Sequence, residues 1–204
     1  MSAREEILRR LRATGEAEAP LPEIRAPIRI TGDPVQLFLE RAAAVGADVV
    51  RITSGGLAER VVRDLRRRGV QAVAVWEDPV LASVQSALRA EGVEILLPQD
   101  QTSTRVTRAD AGVTTADYAI AETGTLVLTC SPLRPRSTSL LPPLHVAVLS
   151  RDRILPTLEH LFTDLHVLPS ALTFITGPSR TADIELTPVQ GVHGPVSIQV
   201  YVLG

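Results

Sequence analysis

The chain predicts an α/β fold, an open and mostly parallel sheet flanked by helices. Three observations predict it. Strand-like and helix-like stretches alternate through the first half, joined by short Gly-marked connections. The half after Pro98 is strand-rich and broken by Gly/Pro/Ser joints. With 204 residues and 45% apolar content, the chain can bury one good core.

Ile7, Leu8 and Leu11 stand at helical spacing among Arg and Glu, predicting a short amphipathic helix at the amino terminus. The stretch TGEAEAPLPEIRAPIRI is Pro-rich and has no period, so it reads as an extended linker. Residues 1–30 are therefore an appendage, and 31–204 a single α/β domain. PVQLFLERAAAV is helical, DVVRIT a strand, GGLAERVVRDLRRRG a helix, VQAVAVW a strand, VLASVQSALRAEG a helix and VEILLP a strand. The RDLRRRG run is the wet face and carboxyl end of its helix, where the dipole favours cations. Beyond Pro98, VTTADYAIAETGTLVLTC, LHVAVL, LTFIT and VSIQVYVL predict strands, with TLEHLFTDL the one clear helix between them. The joints SPLRPRSTSLLPP, TGPSRTAD and QGVHGP lie at strand ends, where open α/β sheets place ligands.

Composition excludes several functions. A formal charge of -2 lacks the basic excess of a nucleic-acid surface. Every cation is Arg, so no lysine is present to form a Schiff base or bind phosphate. The single cysteine, Cys130, cannot make an internal disulfide or supply a cysteine-ligated cluster. The four histidines lack metal-ligand spacing, and neither a Walker loop nor GxGxxG occurs, so no metal or nucleotide cofactor is expected. The charged start MSAREEILRRLRA carries no secretory signal, and the apolar runs are too interrupted to span a bilayer. The expected location is cytoplasmic.

Four stretches concentrate chemistry. In AETGTLVL, Glu122 stands before Gly124 with Thr123 and Thr125 alongside; a carboxylate held so can act as base or nucleophile, or sit solvated on a hairpin. In LRPRSTSLLPP, Arg134 and Arg136 precede Ser137, Thr138 and Ser139, a combination suited to carboxylate or phosphate, or to a plain exposed loop. In FITGPSRTADIE, Gly177 and Ser179 come before Arg180, Asp183 and Glu185. A helix starting at Ser179 would be capped by its hydroxyl. Ala182 stands where a capping box needs Glu or Gln, and a binding loop in which the carboxylates orient Arg180 is the preferred reading. In GVHGP, His193 sits between glycines, free to reach a ligand or to bond within its turn. His145, on an apolar run, reads as a core histidine.

Taken in order, TTADYAIAETGTLVL, RSTSLLPPLHVAVL, FITGPSRTADIE and GVHGP resemble the lactate-utilisation (LUD) domain family over about the last hundred residues. The resemblance implies a fold related to the sugar-phosphate isomerase/CoA-transferase (NagB/RpiA/CoA transferase-like) superfamily. It also implies a part in oxidising L-lactate to pyruvate beside iron–sulfur partner proteins. Pro135 departs from the Gly-Arg-Ser that family members often carry before SLLP, and its ring restricts the backbone that aims Arg136.

Two readings follow. In one, the chain is a non-redox subunit of a lactate-oxidising complex, with a pocket for a small anion built from Glu122, Arg136, Ser179, Arg180 and His193. In the other, it is an independent transferase- or isomerase-type enzyme in which Glu122 is nucleophile or base, Arg180 binds carboxylate or phosphate and His193 moves a proton. A lactate-sensing binder would use the same pocket with neither partners nor turnover.

Overall fold

The computed structural model describes residues 3–13, 30–165, 169–182, 188–191 and 193–204. In chain order these form α1 (Ala3–Ala13), α2 (Pro34–Ala44), β1 (Asp48–Ile52), α3 (Leu57–Arg67), β2 (Ala72–Val75), α4 (Ala82–Ala90), β3 (Glu94–Leu96) and α5 (Ser103–Val106). There follow β4 (Ala111–Thr115), β5 (Tyr118–Ile120), β6 (Thr125–Thr129), α6 (Ser137–Leu140), β7 (Leu144–Ser150), β8 (Ile154–Leu155), α7 (Leu158–Asp164), β9 (Leu172–Ile175), β10 (Arg180–Ala182), β11 (Pro188–Gln190) and β12 (Ser197–Leu203).

Six strands make one parallel sheet in the order β1-β12-β7-β4-β2-β3. Its central strands are covered on both faces, so they read as unbroken apolar runs rather than alternating ones. Val73, Ala74 and Val75, and likewise Val146 to Leu149, are all buried. A second sheet, β8-β5-β6-β9, grows from the chain that leaves β4, and β10 with β11 forms a short antiparallel ribbon.

The helices obey the expected chemistry. Asp33 caps α2 by accepting from the Val35 amide, and Pro34 fills the first turn, where no amide is needed. In α3, Leu57, Val61 and Leu65 face inward at helical spacing. Its arginines face out: Arg60 pairs with Asp64, Arg63 with Glu59, and Arg66 with Glu91 beyond α4. Asp64 also accepts from the buried Tyr201 hydroxyl at 2.8 Å, tying α3 to β12. Burial alone would raise the Asp64 carboxyl, but the bonds from Tyr201 and Arg60 hold it below the usual carboxylate range.

The centre of the sheet admits one very close approach. A Cβ on Gly112 of β4 would lie 1.7 Å from the Thr138 carbonyl oxygen, so only glycine lets α6 lie this close to the strand. Beside it His145 is fully buried, bonded through Nε2 to the Thr114 hydroxyl, while Nδ1 has no partner among the described residues. His145 is thus a core residue, as its apolar surroundings in the sequence predict. The linker of residues 14–29 and His166 lie outside the described residues.

Burial lowers the His145 pKa from 6.5 to about 4. The native state therefore stays neutral where the unfolded chain takes up a proton. Stability is full above about pH 6.5 and falls as the pH drops toward 4, by about 3 kcal/mol from this group. Urea denaturation at pH 7 and pH 4.5 should show a smaller acid loss for His145→Gln than for the parent. An identical loss in both would show that His145 does not drive it.

Candidate functional site

The chemistry-bearing stretches converge by backbone contact. Glu122 rides the tight turn between β5 and β6, which is pinned by Ala121 N–H to the Leu155 carbonyl and Glu122 N–H to the Pro156 carbonyl. Gly124 closes that turn at φ 68°, and a Cβ there would stand 2.4 Å from the Ala42 amide of α2. The turn is thus seated against the helix by a residue that only glycine can be.

From this turn a line of hydroxyls leads to the next motif. Thr123 and Thr125 share a hydrogen bond at 2.6 Å, and Thr125 and Thr176 another at 2.7 Å. Thr176 follows β9 and opens the Gly-Pro-Ser stretch. Gly177, at φ 74°, packs on the end of α2, where a Cβ would lie 2.4 Å from the Val45 carbonyl oxygen. Ser179 then clasps the last motif: its amide donates to the Pro195 carbonyl at 2.9 Å, and its own carbonyl accepts from Gly191. Gly194 packs directly on the Ser179 side chain. The Val196 and Ser197 amides finally bond the Pro143 carbonyl, which ends the SLLPP segment.

Arg180 opens β10, which pairs with β11, so the chain after Ser179 is strand and no helix begins there. The missing capping box in the sequence agrees with this outcome. The Arg180 guanidinium lies against the turn at Gly46. Among the described residues, the side chains of Glu122, Arg180 and His193 have no hydrogen-bond or ion-pair partner. Arg180 and His193 are exposed and Glu122 half-buried. Asp183 and Glu185, expected to orient Arg180, lie outside the described residues.

Arg136, Ser137 and Ser139 are placed differently. The Pro135 carbonyl accepts from the buried Trp76 indole at 2.9 Å, just beyond the carboxyl end of β2. Thr138 donates to Gln101, and the buried Ser139 hydroxyl bonds the Arg136 carbonyl, so both serve the loop itself. Arg136 is exposed, and Ser137 is half-buried. Of the two arginines here, Arg134 is the one drawn into the fold, between Asp78 and Asp117 at 2.5 and 2.6 Å. Sequence reading gave no role to either aspartate, which stand 56 and 17 residues away along the chain.

The joined motifs sit where β1, β7 and β12 begin, beside Gly46, Pro143 and Val196. This is the amino edge of the parallel sheet. The SPLRPRSTSLLPP joint reaches both edges: Arg134 and Pro135 lie beside Asp78 and Trp76 at the carboxyl edge, and Pro143 lies at the amino edge. Among the described residues no three His, Cys, Asp or Glu side chains gather to hold a metal ion. No helix among them is long and apolar enough to cross a membrane.

The fold and the joined motifs define a LUD domain, and the chain belongs to that family, matching it over residues 35–203. It is 32% identical over 173 residues to a protein named Lactate utilization protein C from Halalkalibacterium halodurans, covering 79% of this chain and 75% of that one. A second protein of that name, from Shouchella clausii, is 31% identical over 172 residues, again covering 79% and 75%. The crystal structure of a DUF162 family protein from Deinococcus radiodurans superposes with a TM-score of 0.66 at 25% identity, covering 87% of this chain and all of that one.

Gly124→Ala should cost about 2–4 kcal/mol, since it combines a left-handed backbone with a clash against α2. Glu122→Gln should cost less than about 0.5 kcal/mol, as expected for a polar exchange without a bonded partner. Thermal or urea unfolding of both variants measures the contrast, and a large loss for Glu122→Gln would make that residue structural.

Proposed function

We propose that this chain serves lactate utilisation as the non-redox subunit of a system that oxidises L-lactate to pyruvate with iron–sulfur partner proteins. The observation that carries the reading is the meeting of the family's motifs through backbone contacts, with no bonded partner for the Glu122, Arg180 and His193 side chains among the described residues. Its relatives named Lactate utilization protein C support the pathway. The oxidation removes two electrons and two protons. One cysteine cannot ligate a cluster, so the electrons pass to centres on the partner proteins.

In this reading Arg180, with the Ser179 hydroxyl, receives a carboxylate, because a guanidinium offers it paired donors. His193, exposed beside Gly194, serves as the proton carrier. Glu122 serves as the base, on the turn that the Thr123–Thr125–Thr176 hydroxyl line joins to the Gly-Pro-Ser stretch.

A strain deleted for this gene should fail to grow on L-lactate and recover with the parent gene, while Arg180→Ala restores growth poorly. Anaerobic purification of the tagged chain should retain iron–sulfur proteins. Undiminished growth of the deletion strain, together with recovery of the tagged chain alone, would overturn the proposal.

A further inference from the structure

The carboxyl edge of the parallel sheet carries a second feature, independent of the joined motifs. The chain leaves β2 toward β3 on one side, and leaves β4 toward β7 on the other. Where neighbouring strands send their connections in opposite directions, the loops part and leave a crevice, which is where open α/β sheets bind ligands. Here that crevice is a cleft of about 380 Å³, within the size range of small-molecule sites.

Its polar groups are already held in place. Asp78 follows β2, and Thr115 and Asp117 follow β4. Asp78 accepts from Arg134, from the Thr115 hydroxyl at 3.0 Å and from the Val80 amide at 3.0 Å. Asp117 accepts from Arg134, and from both the amide and the hydroxyl of Thr129. The Asp78 side chain is only 8% exposed, so this charge is fixed in a largely dry floor. Two carboxylates around one guanidinium leave the floor net negative, an acceptor surface for hydroxyl donors.

Opposite stands Arg153. It lies over the Tyr118 ring at 5.4 Å, donates to the Tyr118 hydroxyl at 3.5 Å, borders the cleft and has no carboxylate partner among the described residues. Ser150 adds a hydroxyl at the end of β7, and Val80, Val148 and Leu203 supply an apolar wall. The cleft thus pairs a cation that no carboxylate bonds directly among the described residues with a floor of fixed acceptors.

We propose that this cleft binds a small organic anion bearing at least one hydroxyl, its carboxylate or phosphate on Arg153 and its hydroxyl on Asp78 or Asp117. The site goes beyond the lactate-utilisation reading, since its chemistry holds whatever system the chain serves. It uses none of the residues assigned there. The Arg134 ion triad keeps the floor in shape and does not itself receive the anion, because both ends of that guanidinium are engaged.

Isothermal titration of the full chain with L-lactate, glycerol 3-phosphate and propionate tests this. Propionate has the carboxylate of lactate without the hydroxyl. Saturable binding of lactate or glycerol 3-phosphate is expected, and which one binds tells a carboxylate from a phosphate site. Propionate should bind at least tenfold more weakly than lactate if lactate is the tighter probe. Arg153→Gln should weaken binding tenfold or more with an unchanged melting temperature, whereas Arg89→Gln, which removes the same charge from the distant α4, should not. Absence of saturable binding by both hydroxylated probes would overturn the proposal. So would equal affinity in Arg153→Gln and the parent. Growth on lactate is read separately, so this site and the pathway assignment fail independently.

Discussion

The guanidinium of Arg134, gripped between Asp78 and Asp117, is the contact on which the arrangement of the two sheets depends. Asp78 belongs to the connection after β2, Asp117 to the point where the chain abandons the parallel sheet, and Arg134 to the loop after β6. One cation therefore bonds side chains from two connections that belong to different sheets. Burial would lower the arginine's proton affinity, but the bonds to Asp117 and Asp78 more than offset this and raise it. Such a triad is costly to assemble and costlier to break, since removing one member strands the others without compensation. Its value lies in position rather than in net stability.

The opposite edge is built on close backbone approach. Gly124 lies in the turn between β5 and β6 and Gly177 follows β9, yet both press against the end of α2. The three hydroxyls between them then have little freedom to pair otherwise. Side-chain placement is thereby set by glycines that carry no side chain, and the polar residues occupy positions the backbone has already chosen. The two edges differ in consequence: one holds charges bonded to one another, the other presents Glu122 and Arg180, which no side chain among the described residues bonds.

Much of the fold was legible because its pattern is local. The inward line of Leu57, Val61 and Leu65, the Asp-Pro start of α2 and the valine-rich strands all announce themselves within a dozen residues. The single-turn α6 and the β10–β11 ribbon did not, as neither is long enough to show a period. For the candidate site, the family resemblance and the motif order showed which stretches matter, but not how they are arranged. Arg134 and Arg136 are near-equivalent in the sequence, two residues apart in one polar loop. Only Asp78 and Asp117, reached through tertiary folding, separate the half-buried, ion-paired arginine from the exposed one. Arg153 was equally silent, because its place over Tyr118 at the rim of the cleft is visible only in three dimensions.

The chain holds a single tryptophan, Trp76, and its surroundings make it an instrument. It is fully buried, its indole N–H is bonded to the Pro135 carbonyl, and the Arg134 guanidinium lies 5.4 Å from the ring centroid. A cation over the ring and a fixed hydrogen bond both tune the energy of the indole's excited state. With no second indole to blur the signal, the emission of this protein is a local report on the loops that frame the carboxyl edge. Their loosening would register as a spectral change well before the molecule as a whole came apart.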